Sequence, residues 1–411
     1  MVYKFQNKII DEVCTVTDCL HKTAPTVDYP TKYRMLRTNN IRNGKLQNIE
    51  STKSVTQDTY EKWSIRGYLE TNDVILTREA PMGEVAIIRD NDKYQFFLGQ
   101  RMLQLKAKEN IIIPEFLYYS LQTKMLRHQI MINEGTGSVV SNLRIPLLKK
   151  MNIPVPSIDI QKKLTNILID IDNKIETNNK IIANLEELSQ TLFKRWFIDF
   201  EFPDENGNPY KSNGGEMTKE NIPTNWSSQN FGNIIDISSG KRPKVKNEIK
   251  EKQFNIPIIG ASKIMGYTDT FLQDSPILVI GRVGTHGVVQ RFIEKCWPSD
   301  NTLVIKSKYY NFAYEYLKGI DYTSLNRGST QPLITQKDIK NAKVVLPDDF
   351  TLLEGYESRS RHILLKISAL NNENEKLSVL RDTLLPKLMS GEIELPDTLE
   401  VTEDAELLQR G

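Results

Sequence analysis

Two stretches decide the fold: LTNILIDIDNKIETNNKIIANL at residues 164–185 and ILLKISALNNENEKLSVLRDTL at residues 363–384. In both, apolar residues recur at alternating intervals of three and four, which is the spacing of a coiled-coil seam. One asparagine interrupts each seam, Asn178 in the first stretch and Asn374 in the second. The other predicted seam residues are Leu164, Ile171, Ile175, Ile182, Leu185, Ile363, Ile367, Leu370, Leu377 and Leu384.

The seams predict one long helix over residues 160–196 and another over residues 352–388, each about 55 Å in length. Two ordinary core helices are the alternative, but they would be unusually long, so we expect the two helices to pack together. An asparagine in an apolar seam costs stability unless it has a partner, and Asn opposite Asn fixes the register. We therefore expect an antiparallel pair with Asn178 opposite Asn374. The same register aligns two more pairs near the helix ends: Leu164 with Leu388, and Trp196 with Tyr356.

The segments that precede the two helices resemble each other in the same order along the chain. In each, an apolar run ends in an arginine, a glycine follows five residues later, and a second glycine lies 19 residues before a proline. The matched pairs are Arg78 and Arg282, Gly83 and Gly287, Gly137 and Gly328, and Pro156 and Pro347. This order indicates a tandem repeat of about 190 residues, which is too long for a solenoid unit.

Each repeat begins with short β-like runs separated by Gly, Pro and Asn turns. The clearest predicted strands are Val74–Leu76, Glu84–Ile88, Ile277–Ile280, Val288–Phe292 and Thr302–Ile305. Shorter helical patterns cover Pro114–Arg127 and Phe312–Ile320. We expect an α+β fold in which two repeated αβ domains are separated and joined by the two long antiparallel helices, with pseudo-two-fold symmetry. The expected divisions are 1–156, 157–205, 206–347, 348–393 and an acidic tail at 394–411.

Composition excludes several classes of protein. The 411 residues are 39% hydrophobic and 26% charged, and none of their apolar stretches approaches a membrane span. Three cysteines without a CxxC pair suit reduced structural thiols in a cytoplasmic protein. We expect no contact with membranes. Four scattered histidines argue against a His-rich metal site, and we predict no metal in this chain.

The net charge of +2 conceals an alternation along the chain. Residues 1–156 carry 22 Lys and Arg against 16 Asp and Glu, and residues 206–347 carry 19 against 12. The helical segments between and after them are acidic, with 6 against 10 over 157–205 and 7 against 14 over 348–411. Two basic domains favour contact with a polyanion such as nucleic acid, although the excess is modest.

Motifs for catalysis are weak. Asn208-Pro209-Tyr210 has one proline of the Asn-Pro-Pro-aromatic loop of amino-methyltransferases, and its polar surroundings favour a turn. The glycines from 281 to 287 are followed by a strand pattern, whereas a dinucleotide-binding loop needs a helix there. We found neither a P-loop nor a convincing set of nuclease carboxylates, so we predict no catalytic residues.

Taken in order on this repeat, several motifs resemble the specificity (S) subunits of type I restriction–modification enzymes, over nearly the whole chain. They are IPTNW at 222–226, FGNI at 231–234, ISSGKRP at 237–243, IPVP at 153–156 with Ile160 and Gln161, and LLPKLMSGEI at 384–393. Two departures are the absence of a Pro-x-x-Trp motif in the first half and of a Glu-Gln pair at 348–356.

The resemblance implies a non-catalytic role, in which each β-rich target recognition domain reads one half of a split double-stranded DNA site and the helices set the spacing. It also implies modification (methyltransferase) subunits, expected as two, that bind S-adenosylmethionine, and restriction subunits that use ATP and Mg. No cofactor is expected in this chain. A coiled-coil adaptor that binds proteins is the alternative, and a self-contained methyltransferase is a weaker one.

Candidate DNA-binding residues lie in matched loops of the two domains. Arg78 and Arg282 precede the glycine turns, where an arginine can pair with guanine, while a salt bridge to a neighbouring carboxylate is an equal alternative for both. The densest basic run is at 241–246, with a looser counterpart at 22–23. Ordinary solvated turns are the alternative for all the loops. The remaining candidates are Lys22, Thr23, Arg37, Asn39, Thr136, Ser138, Lys241, Arg242, Lys244, Lys263, His286, Arg327, Ser329, Thr330 and Gln331.

Overall fold

A computed structural model describes residues 3–79, 81–90, 93–133, 142–282, 287–322, 333–393 and 395. The chain divides into two compact units. The first consists of Met1–Glu176 with Asn374–Gly411, and the second of Thr177–Glu373.

The first unit contains eleven short strands within its described residues. They are β1 Gln6–Ile9, β2 Cys14–Asp18, β3 Tyr33–Leu36, β4 Ile41–Arg42, β5 Lys45–Leu46, β6 Lys53–Ser54, β7 Val74–Thr77, β8 Val85–Ile87, β9 Gln95–Leu98, β10 Met102–Ala107 and β11 Asn152–Val155. Its shorter helices are α1 Ile10–Val13, α2 Gln57–Trp63, α3 Pro114–Gln122, α4 Lys124–Ile132 and α5 Ile145–Lys149. Both predicted long helices are present, as α6 Ile158–Phe197 and α9 Thr351–Ser390.

The second unit repeats this plan. Its strands are β12 Trp226–Asn230, β13 Asp236–Ser239, β14 Ile256–Ile259, β15 Ile264–Thr268, β16 Ile277–Gly281, β17 Val289–Phe292, β18 Trp297–Pro298, β19 Thr302–Lys306 and β20 Lys343–Pro347. Its shorter helices are α7 Tyr310–Gly319 and α8 Gln336–Asn341.

Strand order confirms the tandem repeat. The main sheet has the order β2-β10-β7-β8 in the first unit and β13-β19-β16-β17 in the second, with antiparallel neighbours throughout. A smaller sheet in each unit contains one parallel pair, β3 with β9 and β14 with β18. The first strand of each domain pairs with its last, β1 with β11 and β12 with β20. Every residue of β7 and β16 is buried, which explains the continuous apolar runs Val74–Leu76 and Ile277–Ile280 within them.

One predicted helix is wrong. The helical pattern over residues 114–127 forms two helices, α3 and α4, which are separated at Thr123. Thr123 has an extended backbone, and its hydroxyl accepts a hydrogen bond from the Leu126 amide at 3.4 Å. A threonine in this arrangement is an N-cap, and it starts a new helix instead of continuing the old one.

In the first unit, the beginning of α6 packs against the end of α9. Leu164 and Leu388 belong to one apolar core, as the sequence predicted. Close by, the Arg381 guanidinium lies 2.9 Å from the Asp172 carboxylate, which also accepts a hydrogen bond from the Tyr119 hydroxyl at 2.8 Å. From the apolar contact to the ion pair, the position along α6 advances while that along α9 decreases, so the two helices run in opposite directions here.

In the second unit, the end of α6 packs against the beginning of α9, again in opposite directions. The Trp196 and Tyr356 rings lie 5.8 Å apart between centroids, which confirms that predicted pair. Asn178 is fully buried, and its amide donates a hydrogen bond of 2.9 Å to the Glu373 carboxylate, one residue before Asn374. The predicted pairing of Asn178 with Asn374 itself stays a prediction.

The predicted seam residues are buried or half-buried in both units. Those that are buried are Leu164, Ile171, Ile175, Asn178, Ile367 and Leu370. Those that are half-buried are Ile182, Leu185, Ile363, Asn374, Leu377 and Leu384.

One polar side chain attaches each long helix to the domain that precedes it. The fully buried Gln161 of α6 donates to the carbonyl oxygens of Ile111 and Pro156 and accepts from the Ile113 amide, all at 2.9 Å. On α9, the Glu357 carboxylate accepts from the backbone amides of Asn311 and Phe312, at 3.2 and 2.8 Å. Glu357 therefore takes the role of Gln161 in the half whose sequence lacks the Glu-Gln pair.

The segment before β1 contacts the segment after α9. The Tyr3 hydroxyl donates to the Leu395 carbonyl at 3.1 Å and accepts from the Leu395 amide at 2.8 Å. Gly391 has a φ of +76°, and a Cβ there would come within 2.6 Å of the Phe5 ring. Glycine is therefore required where α9 ends. No helix in the described part of the chain is long and apolar enough to span a membrane.

Candidate nucleic-acid interface

Arg78 lies at the end of β7 in a closed network of hydrogen bonds. Its Nη1 atom contacts both carboxylate oxygens of Asp18, at 3.0 and 3.1 Å. Nε donates to the Leu143 carbonyl and Nη2 to the Asn142 side chain, both at 3.2 Å. The side chain is only 11% exposed. This geometry favours the salt bridge, one of the two alternatives left open by the sequence, and DNA contact by Arg78 stays untested.

Arg282 has the same backbone setting at the end of β16. Its amide donates to the Asn301 carbonyl at 2.9 Å, and its carbonyl accepts from the Ile334 amide at 3.1 Å. Arg78 makes the equivalent backbone bonds with Arg101 and Leu143, at 2.8 and 3.1 Å. The two arginines therefore occupy equivalent places in the two domains.

The basic loop that follows the first strand of each main sheet is fixed by a tryptophan. In the first domain the Trp63 indole donates to the Lys22 carbonyl at 3.1 Å, and in the second the Trp297 indole donates to the Lys241 carbonyl at 2.7 Å. With their carbonyls held, Lys22 and Lys241 keep exposed side chains. Sequence reasoning did not identify the tryptophans, because each lies more than 40 residues from its partner.

A glycine makes the second basic loop possible. A Cβ on Gly240 would lie 2.1 Å from the Ser299 carbonyl oxygen and 2.6 Å from that of Pro298. The chain approaches this closely because the Lys241 amide donates to the Pro298 carbonyl at 3.0 Å. Arg242 and Lys244 continue the loop, and both are exposed. The basic side chains of this loop are therefore available to phosphates, while its backbone is fixed.

Four further candidates are exposed. Arg37 and Asn39 follow β3, where the buried Asn40 side chain accepts from the Arg37 amide at 3.0 Å. Lys263 lies in the turn from β14 to β15, and its carbonyl accepts from the Gly260 amide at 2.8 Å. Thr23 is exposed beside Lys22 in the first basic loop. The remaining candidates lie outside the described residues: Thr136, Ser138, His286, Arg327, Ser329, Thr330 and Gln331.

The described part of the chain has one group of three possible metal ligands, Asp18, Cys19 and His21, whose ligand atoms lie within 4.8 Å of one another. The Asp18 carboxylate is already engaged by Arg78 and by the His21 ring at 2.9 Å. Burial also raises the pKa of the Cys19 thiol. A paired carboxylate and a protonated thiol make poor ligands, so we assign this group a structural role.

The environment of the cysteines makes their thiols weakly reactive. All three are buried and free. Burial raises the pKa of Cys14 to about 12 and that of Cys296 to about 11. Thiols in this state are weak nucleophiles at neutral pH.

Comparison with known proteins identifies the family. A family model described as the type I restriction modification DNA specificity domain matches residues 4–187 and 223–351. The chain is 26% identical to the type I restriction enzyme MjaIX specificity subunit of Methanocaldococcus jannaschii, over 84% of this chain and 83% of that protein. The MjaVIII specificity subunit of the same organism is 25% identical, with 79% and 81% covered.

A solved structure has the same fold. The crystal structure of the type I restriction-modification S subunit from M. genitalium superposes with a TM-score of 0.60, over 96% of this chain and 97% of that one, at 18% identity. The family model covers most of the chain, including both repeats. The chain therefore belongs to the type I restriction–modification specificity subunits, the non-catalytic components that select the DNA sequence.

Proposed function

We propose that each recognition domain reads one half of a bipartite site in double-stranded DNA. The helices α6 and α9 then set the number of unread base pairs between the halves. The observation that carries this proposal is the repeated site: both domains place an arginine in the same backbone frame at the end of a buried strand. Each also holds a basic loop in place through a tryptophan indole. Two copies of one reading surface suit a site with two halves.

The partners follow from the same repeat. A chain with two equivalent domain-to-helix junctions, at Gln161 and Glu357, offers two similar docking places, and we infer one modification subunit at each. S-adenosylmethionine would be bound by those subunits, and ATP and Mg by the restriction subunits. This chain would then contribute the choice of DNA sequence and the assembly of the complex.

Exchange of one domain tests the proposal. Residues 206–347 would be replaced by the matching domain of a relative, and the complex assembled with its modification subunits. Methylated bases would be mapped across a genome. We expect one half of the motif to change while the other half and the spacer length remain. The reciprocal exchange of residues 1–156 is the matched control and should change only the other half.

Two results would contradict the proposal. A change in both halves after a single exchange would refute independent reading by the domains. Assembly with modification subunits but no shift of any DNA in a gel would favour the adaptor alternative.

A further inference from the structure

The two equivalent arginines differ in what surrounds them. In the first domain, Leu103 of β10 pairs with Asp18 of β2 on one side and with Leu76 of β7 on the other. In the second, Leu303 of β19 pairs with Ser239 of β13 and with Ile280 of β16. Arg78 and Arg282 follow Leu76 and Ile280 by two residues, so Ser239 occupies the place of Asp18.

A second side-chain acceptor is also lost. Leu143 and Ile334 donate to the carbonyls of Arg78 and Arg282 respectively, so Leu333 corresponds to Asn142. Asn142 accepts from Arg78 at 3.2 Å, whereas the side chain of leucine is hydrocarbon. The carboxylate and the amide that hold Arg78 are therefore replaced by a hydroxyl and an alkyl group. The Ser239 hydroxyl in turn accepts from the Gln336 side chain at 3.1 Å.

The Nε donor of the Arg282 guanidinium is consequently unsatisfied. Among the described residues its side chain makes neither a hydrogen bond nor an ion pair, and its Nε atom is shielded from solvent without a partner. A buried donor without an acceptor destabilises the fold, and more so when the group is charged. A hydrogen-bond acceptor on a bound ligand would satisfy this donor, and binding would then be favoured.

We propose that Arg282 donates hydrogen bonds to the DNA of the second half-site, and that Asp18 withholds Arg78 from the same role in the first. This assignment rests on the proposed function, because it concerns the same reading surface. The acceptor is an oxygen or ring nitrogen of the DNA. A guanidinium pairs with guanine O6 and N7 or with phosphate oxygens, and the two sources give different results.

The direct test removes the guanidinium in the complex of the full chain with its modification subunits. Arg282→Ala should weaken binding to the methylation site about 5- to 150-fold. If Arg282 contacts guanine, the preference disappears at one base pair of the second half-site. If it contacts phosphate, all sequences weaken alike, and the slope of log affinity against log salt falls by about one. Either result supports the assignment.

A second variant tests the same point without altering Arg282. Ser239→Asp places a carboxylate where Asp18 stands, so it should pair with Arg282 and produce the loss seen for Arg282→Ala. Ser238→Asp is the matched control, because adjacent side chains of a strand point to opposite faces. It adds the same charge and should retain the wild-type preference. Arg78→Ala should lower the melting temperature and leave the bases of the first half-site unchanged.

Wild-type binding separates the possible failures. If the wild-type complex prefers a bipartite site, and folded Arg282→Ala and Ser239→Asp both bind and discriminate as wild type, the role of Arg282 is refuted and the proposed function stands. If Arg282→Ala is unfolded by circular dichroism, Ser239→Asp decides alone. If the wild-type complex has no sequence preference, the proposed function fails, and this assignment fails with it.

Discussion

Replacing Glu357 by alanine should weaken the attachment of the second recognition domain to α9. The carboxylate accepts from the Phe312 amide at 2.8 Å, and from the backbone and side-chain amides of Asn311 at 3.2 and 3.0 Å. Alanine would leave two partly buried backbone donors at the start of α7 without an acceptor. At about 1–2 kcal/mol for each donor, the loss is about 2–4 kcal/mol. For a unit of this size, that lowers the melting temperature by about 4–16 °C.

The pKa of Glu357 predicts the direction in which the free energy of unfolding changes with pH. Burial raises the pKa of Glu357 above its usual 4.5, although the Asn311 and Phe312 amides oppose the effect. The folded chain therefore holds this proton more tightly than the unfolded chain does. The contribution of Glu357 is fully present below pH 4.5 and decreases as the pH rises through the raised pKa. The difference in free energy of unfolding between wild type and Glu357→Gln should decrease over that interval.

Thermal and urea unfolding between pH 4 and 8 would measure both effects by circular dichroism. Gln161→Ala is the matched variant, since Gln161 also makes three hydrogen bonds to its domain, two as donor and one as acceptor, and does not titrate. It should lower stability by a similar amount without the pH dependence. An unchanged melting temperature for Glu357→Ala, or parallel pH curves for wild type and Glu357→Gln, would refute the reasoning.

Three further predictions concern the thiols, the second basic loop and the helices. The cysteines should react with a thiol reagent at pH 8 only as fast as the chain unfolds, and prompt labelling of the native protein would contradict their burial. Alanine at Lys241, Arg242 and Lys244 should weaken binding to all DNA sequences alike and flatten its salt dependence, whereas an unchanged slope would remove this loop from the interface. One heptad inserted into each long helix adds about 10 Å, so methylation mapping should show a longer spacer with both half-sites intact, and an unchanged spacer would exclude the helices as its determinant.

The long helices could be predicted because their information is local. A seam repeats every three or four residues, so the helix positions and the pairs Leu164–Leu388 and Trp196–Tyr356 follow from spacing and one register assumption. The hydrogen bond from the Asn178 amide to Glu373 could not be predicted in this way. Which neighbouring side chain a buried amide reaches depends on packing and not on periodicity, and the pairing of Asn178 with Asn374 stays a prediction. The break at Thr123 does have a local signal, since threonine is a preferred N-cap, but the continuous apolar pattern obscured it.

The equivalence of the two arginines was predictable, but the side-chain partners of each were not. Matched spacing identified Arg78 and Arg282 as equivalent. Whether each is paired depends on Asp18 and Ser239, which become their neighbours only through strand pairing. Asp18 lies 60 residues from Arg78 in sequence, and no local pattern reports a contact at that distance. The repeat thus preserves the backbone frame and leaves the charge of each site to vary.

The contact between Tyr3 and Leu395 places the segment before β1 beside the segment after α9 in the first unit. The end of α9 therefore lies near the segment that leads into β1. In the same way, the end of α6 is followed along the chain by the segment that leads into β12. A chain joined between these two residues by a short linker and opened instead in the turns around Gly207 and Gly214 keeps every strand pair described above. A circular permutant of this kind should fold, because its new termini lie in exposed turns and the residues to be linked are already in contact.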